Sequence, residues 1–378
     1  MAADYITDLQ GVLEGVNDKL KDSHLFTRAS DANWSDIPFW IPTGSTLLDI
    51  VMTSYDEHRN PVGSGWAGGR WYEVFGEEGM GKSTLIEHAF AETQKKGGIP
   101  EMIDSESKLY KPRAVQIGVD LNTLVLCDAP YVERGIESFN LMMEVIRKKP
   151  SLRDRPVLCA WDTIASAPTK NEYESGMYAG GQAEKARITR QMYRDLTSKL
   201  SGLGVCFILV NQVSDTMGGR YEKQTDTTGG RGAKYHASSR LELHRFGVYN
   251  DPYNKDVPAG IMVRIKFVKS SLFKPFAEVE LPFNFETGID NWLSLVQFHT
   301  TSSKLFTNRS GAYYSETFLG SSPDKKDGPA GKRLPQLLDI IKEDELLQDQ
   351  LVSKAREYGS LLWKKAASYA DKDKDKEK

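Results

Sequence analysis

Residues 70–84 read RWYEVFGEEGMGKST, an apolar run that passes into a loop with three glycines and a lysine. The residues that follow, through Gln94, favour a helix. GxxxxGK[ST] between a strand and a helix is the pattern of a phosphate-binding loop, because glycines let backbone N–H groups wrap phosphates and the helix N-terminus attracts anions. A chance glycine-rich turn is the alternative, and the strand-to-helix context argues against it.

The side chains of this loop have separate predicted roles. Lys82 reaches the β- and γ-phosphates of a bound nucleotide, and the Ser83 hydroxyl offers a ligand to Mg²⁺. The predicted nucleotide contacts are Gly76, Glu77, Glu78, Gly79, Met80, Gly81, Lys82, Ser83 and Thr84. The loop therefore predicts a triphosphate site that holds a metal ion.

Apolar runs alternate with helical segments from Trp71 to about Phe285, as in βαβ units around a mostly parallel sheet. The clearest predicted strands are 71–75, 99–103, 124–126, 157–161 and 205–210. The clearest predicted helices are 83–94, 135–148 and 182–200. Later strands at 240–246, 261–268 and 276–281 have no long helix between them, which predicts antiparallel hairpins at one end of the sheet.

Polar side chains follow three of these strands. Asp162 ends the run PVLCAWD, Glu106 comes just after Ile103, and Asn211 and Gln212 follow FILV. Because the carboxyl ends of parallel strands line one crevice, these groups are expected to converge on the phosphates. We expect Asp162 to serve Mg²⁺, Glu106 to activate the attacking water and Gln212 to sense the γ-phosphate. An aspartate that only caps a turn is the alternative for Asp162.

The chain is predicted to divide into four parts. Apolar residues at three- and four-residue spacing over about the first 30 residues indicate an amphipathic helix, which either caps its own domain or docks on a neighbouring subunit. The predicted parts are an N-terminal helix with its linker (1–36), a core (37–290), a small C-terminal domain (291–370) and a disordered charged tail (371–378). Two further predictions are a surface loop over 54–65 and a helix-prone run over 334–363.

Composition excludes several classes of protein. The chain has 49 lysines and arginines and 52 aspartates and glutamates, which give a net charge of −3. Any contact with a polyanion is therefore expected to be local. The three cysteines stand in apolar runs and the six histidines are scattered, which argues against a disulfide framework and against a zinc site. Neither a signal peptide nor a membrane span is indicated, and a reducing cytoplasm is the expected compartment.

Three longer segments resemble one family, the RecA-type homologous recombinases with their phage relatives. The segments are IDSESKLYKPRAVQIGVD (103–120), LVNQVSDTMGGRYEKQTDTTGGRGAKYHASSRLELHR (209–245) and RIKFVKSSLFKPFAEVEL (264–281). The resemblance extends from about residue 41 to residue 290, and GAYYSE continues it into the family's small C-terminal domain. It implies an α/β fold: a RecA-like P-loop ATPase core with a mostly parallel central sheet, an N-terminal helix and a small C-terminal α+β domain.

The same resemblance implies roles for single residues. The implied catalytic residues are Glu106, Lys82, Gln212 and Lys269. Asp162 matches an aspartate linked to Mg²⁺, so that ATP and Mg²⁺ are the implied cofactors. Lys269 matches a lysine that acts on the nucleotide of the adjacent protomer. The implied subunit-interface residues are Lys234, Tyr235, Lys266 and Lys269. For Lys234 and Tyr235, an exposed lysine beside a core tyrosine is the alternative.

Two DNA-binding loops are also implied. Residues 171–181 stand where the first loop lies, and residues 213–230 match the second without a gap. The implied DNA contacts are Arg187, Arg190, Met217, Gly218, Gly219, Arg220, Tyr221, Gly229, Gly230 and Arg231. Glycines allow close backbone approach to phosphates, and Met217 and Tyr221 can wedge or stack between bases. A solvated charged face is the alternative for the arginines.

Some positions depart from the family pattern. Arg113 stands where a tyrosine commonly stacks on adenine, and because a guanidinium plane also stacks we assign Arg113 to the nucleotide, with looser selectivity. Ser271 stands in place of a second interface lysine, and Ser214 stands in place of a common basic residue. Lys274, at a shifted position, is one candidate to replace the missing lysine, and no replacement is the alternative. These departures favour a phage protein.

The function implied is an ATP-dependent recombinase that forms helical filaments on single-stranded DNA and catalyses homologous pairing and strand exchange in recombination and repair. As an enzyme it is a DNA-dependent ATPase. Its expected partners are single-stranded DNA, homologous double-stranded DNA, further copies of itself, and mediator or single-strand-binding proteins, but no membrane; its expected location is the cytoplasm of a bacterial or phage-infected cell. The alternatives are a ring-forming RecA-fold helicase and a non-catalytic ATP-binding filament or mediator protein.

Overall fold

The structure is a computed structural model that describes residues 2–21, 28, 36–175, 182–215, 225–227, 232–320, 323 and 331–362. Its helices, in chain order, are α1 (Ala2–Leu20), α2 (Thr46–Val51), α3 (Lys82–Lys95), α4 (Lys111–Ile117), α5 (Val132–Lys148), α6 (Lys170–Ser175), α7 (Gln182–Leu203), α8 (Gly232–His236), α9 (Asn291–Thr301), α10 (Leu334–Glu343) and α11 (Glu345–Glu357). Among these described helices, none combines the length and the apolar character needed to cross a bilayer.

The strands, numbered in the same way, belong to a central sheet and three small sheets. They are β1 (Trp40–Ile41), β2 (Thr53–Tyr55), β3 (Pro61–Ser64), β4 (Trp66–Ala67), β5 (Trp71–Gly76), β6 (Ile99–Asp104), β7 (Val125–Cys127), β8 (Val157–Asp162), β9 (Val205–Asp215), β10 (Thr225–Thr227), β11 (Ser239–Asn250), β12 (Pro258–Ser270), β13 (Glu278–Asn284), β14 (Gly288–Ile289), β15 (Thr307–Arg309), β16 (Ala312–Tyr314) and β17 (Lys332–Arg333).

The central sheet has the order β14-β13-β12-β11-β5-β9-β8-β6-β7. The pairs from β11 to β7 are parallel and the pairs from β11 to β14 are antiparallel. Every residue of β5 and of β8 is buried, as in strands that are covered on both faces. The predicted α/β fold, with its mostly parallel sheet and its antiparallel hairpins at one end, is confirmed.

Alternate residues of the strands face two hydrophobic cores. On β5, Trp71 packs into the core beneath α5 and α7, whereas Tyr72 packs into the core that contains α2 and α3. Trp71 stacks on Tyr193 of α7 with ring centroids 5.2 Å apart, and its Nε1 donates to Thr197 Oγ1 at 3.1 Å. Burial of one such aromatic side chain contributes about 3 kcal/mol. These contacts fix α7 against the strand that leads into the phosphate loop.

Strand β9 continues five residues past its predicted end at residue 210 and reaches Asp215. The extension pairs antiparallel with β10, with Val213 opposite Thr227 and Asp215 opposite Thr225. The hydrophobic pattern stops at Val210, so sequence periodicity alone did not reveal this continuation. The ladder thus pairs the residues on either side of 216–224, a segment that lies outside the described residues.

Two local predictions need correction. The segment 54–65, predicted to be a surface loop, contains part of the hairpin of β2 and β3. Its turn is closed by Asp56, whose Oδ1 accepts from the backbone N–H groups of His58 and Asn60 at 2.9 and 2.7 Å. Helix α1 ends at Leu20 instead of near residue 30. The rest of the predicted 1–36 unit, apart from Lys21, Arg28 and Asp36, lies outside the described residues.

The C-terminal segment begins with α9 and packs against the core. Leu337 of α10 and Leu351 of α11 are fully buried in the same hydrophobic cluster as Leu47 of α2. The helix-prone run over 334–363 divides at Asp344, whose Oδ1 accepts from Leu347 N at 3.0 Å and so caps α11. The charged tail 371–378 lies outside the described residues.

A buried carboxyl on β6 leads to a prediction about stability. Glu101 is 2% exposed, and its Oε2 has no hydrogen-bond partner in the described part of the chain. Burial raises the pKa of Glu101 from 4.5 to about 7. As the pH rises from 4.5 to 7 the unfolded chain releases this proton and the folded chain keeps it, so stability falls over that range.

We therefore expect Glu101→Gln to gain stability relative to the parent protein as the pH rises. Urea unfolding without nucleotide, at pH 5 and at pH 8, measures the difference in unfolding free energy between the two proteins. That difference should shift in favour of Glu101→Gln by about 2 kcal/mol between the two pH values. The exposed carboxyl of Glu137 serves as control, since Glu137→Gln should show no such shift. A pH-independent difference for Glu101→Gln would contradict the prediction.

Candidate active site

The phosphate loop connects β5 to α3 and owes its shape to two glycines. Gly79 and Gly81 have φ of 72° and 82°, in the left-handed region that favours glycine. At Gly81 a Cβ atom would also lie 2.4 Å from the ring of Phe283. Helix α3 begins at the next residue, so its first backbone N–H groups are directed toward the loop. The predicted contacts from Gly76 to Thr84 are thus brought around one helix N-terminus.

Lys82 lies at the first position of α3 and is only 8% exposed. Its Nζ donates to the carbonyl oxygens of Gly76 and Glu77 at 2.9 and 2.5 Å. Burial lowers the pKa of Lys82, and the carboxylates of Asp162 and Glu106 oppose that shift. The ammonium group is therefore held inside the loop, where the phosphates of a nucleotide are predicted to bind.

Ser83 and Asp162 form the next pair. Ser83 Oγ donates to Asp162 Oδ2 at 2.6 Å, which joins the start of α3 to the end of β8. Burial raises the pKa of Asp162, the Ser83 hydrogen bond lowers it, and the nearby charge of Glu106 raises it again. A cation beside Asp162 would relieve this buried charge. A hydroxyl and a carboxylate oxygen side by side are donors that suit Mg²⁺.

Glu106 stands on a tight turn after β6. The carboxylate of Asp104 accepts from the backbone N–H groups of Glu106, Lys108 and Leu109 at 3.2, 3.3 and 3.1 Å. Ser107, between the two charged residues, has a left-handed φ of 52°. The turn brings Lys108 Nζ to 2.5 Å from Glu106 Oε2. The predicted water-activating carboxylate is therefore ion-paired within its own loop.

Gln212 lies directly beside the phosphate loop. Parallel pairing of β5 and β9 sets Gly76 opposite Gln212. Asn211 Oδ1 accepts from Gln212 N at 3.0 Å, and Asn211 Nδ2 donates to Glu73 Oε1 at 3.0 Å. The second oxygen of Glu73 accepts from Arg240 Nε, so a fully buried carboxylate joins three strands of the sheet.

A cleft of about 410 Å³ opens at this edge of the sheet. Arg113 lies on its wall, where its Nε and Nη2 donate to Glu87 Oε2 at 3.1 and 2.8 Å. The lining also includes the apolar side chains of Ile261, Phe283 and Phe285. The predicted residues that line the cleft are Glu78, Gly79, Met80, Gly81, Lys82, Ser83, Thr84, Glu106, Arg113, Asp162 and Gln212. The strand ends and the glycine loop do converge, as predicted.

Sequence reasoning missed several residues of this cleft. Lys108 follows the predicted base by two positions and was visible in the sequence, but only the left-handed turn shows that the two side chains meet. The sequence marks Glu87 only as a position on a helix, and it does not indicate that this carboxylate pairs with Arg113. The apolar side chains of the lining are those of Ile261, Phe283 and Phe285. They lie far from the glycine loop in the sequence, so the motif does not indicate them.

The predicted interface residues do not line the cleft of their own chain. Lys269 Nζ donates to the carbonyl oxygen of Tyr235 at 2.8 Å, and burial, followed by the charge of Arg240, lowers the pKa of Lys269. Tyr235 is 73% exposed, which rules out the alternative of a core tyrosine beside Lys234. Lys266 lies 3.9 Å from Glu278 Oε1. A role toward a neighbouring copy stays a prediction for these residues.

The predicted DNA contacts are only partly described. Arg187 and Arg190 are exposed on α7, and Arg187 borders a groove with several carboxylates, among them Glu133 and Glu184. Of the first predicted loop, residues 171–175 belong to α6 and residues 176–181 lie outside the described residues. The predicted contacts outside the described residues are Met217, Gly218, Gly219, Arg220, Tyr221, Gly229, Gly230 and Arg231.

Comparison with known proteins gives one consistent result. The family model of the RecA N-terminal domain matches residues 28–290. Protein RecA 2 of Myxococcus xanthus is 33% identical over 275 residues, which are 73% of this chain and 71% of that protein. Protein RecA of Aquifex aeolicus is 31% identical over 85% of this chain and 84% of its own length. Protein RecA of Kineococcus radiotolerans is 30% identical over 79% and 83%.

Proposed function

Because this chain belongs to the RecA family of recombinases, we propose that it hydrolyses ATP when bound to DNA, forms helical filaments on single-stranded DNA and exchanges that strand with a homologous duplex. The observation that carries the proposal is the cleft in which Lys82, Asp162, Glu106 and Gln212 meet around one helix N-terminus. Recombination and DNA repair are the processes this activity serves.

The chemistry follows from the arrangement of the cleft. The water oxygen forms a bond to the γ-phosphorus while the bond from that phosphorus to the bridging oxygen of ADP breaks. One water proton passes to Glu106, which lies at the cleft next to the phosphate loop. Lys82 and the N–H groups at the start of α3 stabilise the negative charge that develops on the phosphate oxygens. Ser83 and Asp162 would hold Mg²⁺, which supplies further charge neutralisation when it is bound.

DNA binding is proposed to be coupled to this chemistry through β9. Gln212 lines the cleft, and its strand continues into the ladder with β10, within the second predicted loop. We assign Arg187, Arg190 and the residues of that loop to single-stranded DNA. A change at the γ-phosphate then reaches the DNA contacts along one strand.

Assembly is proposed to complete the site. Lys269, Lys266, Lys234 and Tyr235 would face the nucleotide of an adjacent copy, as an arginine finger does in other phosphoryl-transfer enzymes. Helix α1 leaves Ile6, Val12 and Leu20 about half exposed, and we assign it to docking on a neighbouring subunit. Residues 37–290 are proposed as the ATPase unit and 291–370 as a small C-terminal domain. The proposed location is the cytoplasm of a bacterial or phage-infected cell, with mediator or single-strand-binding proteins as further partners.

Strand exchange between circular single strands and linear duplex tests the proposal directly. Joint molecules should form with ATP and Mg²⁺ and should not form without nucleotide. Electron microscopy of the same mixtures should show helical filaments on the single strands. Closed rings would favour a helicase-like assembly instead. Filaments that form joints without hydrolysing ATP would contradict the assignment of a DNA-dependent ATPase.

Gln212→Ala should lose the coupling between DNA and hydrolysis. The amide that meets the cleft is removed while the strand remains paired with β5, so the γ-phosphate no longer acts on β9. We expect the ratio of hydrolysis rates with and without single-stranded DNA to fall about tenfold, a coupling of ordinary size. The exposed Gln116 on α4 provides the control, since Gln116→Ala should keep the parent ratio. Normal stimulation of Gln212→Ala by DNA would remove this residue from the coupling role.

A further inference from the structure

We propose that Lys108 is a further catalytic residue: it pairs with the base Glu106 and moves to the γ-phosphate when a triphosphate binds. The inference rests on the proposed ATPase function and assigns a part to a residue that the motifs do not include. Its physical basis is the ion pair between Lys108 Nζ and Glu106 Oε2, which lie 2.5 Å apart on the lining of the cleft.

The turn that carries the two residues is built to bring them together. Asp104 fixes the backbone N–H groups on both sides of Ser107, and the left-handed conformation of Ser107 folds the chain back. The carboxylate of Glu106 is 13% exposed, whereas the side chain of Lys108 is 60% exposed. The base is therefore fixed and nearly buried, and the cation that covers it has a long side chain with room to move.

The other cations of the cleft are already engaged by the protein. Lys82 donates to two carbonyl oxygens of the phosphate loop, and Arg113 is bound to Glu87 and Thr84. In the described part of the chain, the one hydrogen-bonded partner of the Lys108 ammonium is Glu106. The hydrogen bond to the Glu106 carboxylate also raises the pKa of Lys108. Lys108 is thus the cation that a ligand can recruit by breaking a single ion pair, the one with Glu106.

A bound triphosphate competes with Glu106 for this cation. Its terminal phosphate carries more negative charge and more acceptor oxygens than a single carboxylate, so the ammonium should transfer to it. The transfer frees Glu106 Oε2 to accept a proton from water and adds a positive charge beside the γ-phosphate. ADP has no terminal phosphate at that position and leaves the ion pair in place. The base then becomes available only when there is a bond to hydrolyse.

Nucleotide binding tests the transfer separately from turnover. The affinities of fluorescent ADP and of a fluorescent β,γ-imido analogue of ATP, each with Mg²⁺, are measured in the absence of DNA. Lys108→Met should weaken binding of the imido analogue about tenfold and should change ADP binding less than about twofold. Lys108→Arg should recover most of the loss. Lys111, an exposed lysine on the same segment that does not line the cleft, supplies the control variant Lys111→Met, with both affinities unchanged.

Glu106→Gln provides the converse measurement. With the competing carboxylate neutralised, the imido analogue should bind about threefold more tightly than it binds to the parent protein, and the double variant with Lys108→Met should lose that gain. Equal effects of Lys108→Met on ADP and on the analogue, or strictly additive effects in the double variant, would overturn the inference. The absence of ATP hydrolysis in the parent protein would instead count against the proposed function, because the binding comparison needs no turnover.

Discussion

Lys82→Ala is expected to abolish ATP-dependent strand exchange and to reduce ATP hydrolysis by at least about 100-fold, the size of effect seen when one preorganised charge-stabilising donor is removed. The ammonium holds the phosphate loop through the carbonyl oxygens of Gly76 and Glu77, and the charges of Asp162 and Glu106 act on it, since both carboxylates raise its pKa against the effect of burial. Without it the cleft loses the cation that lies inside the phosphate loop, while the carboxylates of Asp162 and Glu106 remain to repel a highly charged anion. Hydrolysis assays with single-stranded DNA and joint-molecule assays measure the two losses.

The control for this variant lies on the same helix. Lys95 is exposed at the end of α3 and pairs with Glu92 at 2.6 Å, far from the loop in sequence. Lys95→Ala should retain both activities and should unfold at nearly the parent temperature, since an exposed ion pair contributes at most about 1 kcal/mol. If Lys82→Ala exchanged strands at the parent rate, the assignment of the phosphate loop would be wrong.

Glu106→Gln is expected to reduce the rate of hydrolysis at saturating ATP by about 100-fold to 10,000-fold, the range of contributions made by general bases. The amide keeps the shape of the side chain but cannot accept the proton of the attacking water. Because the loop conformation is set by the Asp104 carboxylate, the turn itself should persist in the variant. Nucleotide binding should therefore survive while turnover is lost, and filaments on DNA should become long-lived.

Single-turnover hydrolysis distinguishes this from slow product release. The chemical step itself should slow in Glu106→Gln, whereas a variant at an exposed carboxylate, Glu144→Gln, should match the parent protein. A burst of product at the parent rate in Glu106→Gln would show that another group takes the proton.

The nucleotide edge of the fold was largely predictable because its signals are local. A glycine loop between a strand and a helix has a characteristic geometry that the sequence alone identifies. Because the strands are parallel, Asp162, Glu106 and Gln212 then lie at the same edge of the sheet as Gly76. The register of the structure, with Gly76 beside Gln212 and Asp104 beside Asp162, agrees with this reasoning. What the sequence could supply was therefore the set of residues and the side of the sheet on which they meet.

The contacts between these residues were not predictable, since they depend on backbone conformation and on partners distant in sequence. Ser107 is an ordinary residue in a left-handed conformation, and without that conformation Lys108 would not reach Glu106. Arg113 is assigned to the nucleotide because its guanidinium plane can stack on adenine, but the sequence does not show that Glu87, 26 positions earlier, holds two of its donor groups. The exposure of Tyr235 likewise follows from packing that no local pattern encodes.

The buried pair of Glu73 and Arg240 constrains how this protein can change over generations. Glu73 is fully buried and Arg240 lies 4.5 Å above the ring of Phe75, so neither charge can turn to solvent when the other is lost. Losing one member of such a pair costs about 3–5 kcal/mol, whereas replacing both with well-packed apolar groups is often neutral. A lineage reaches the apolar alternative without this loss of stability only if both residues change together. The pair is thus expected to persist while neighbouring sites change.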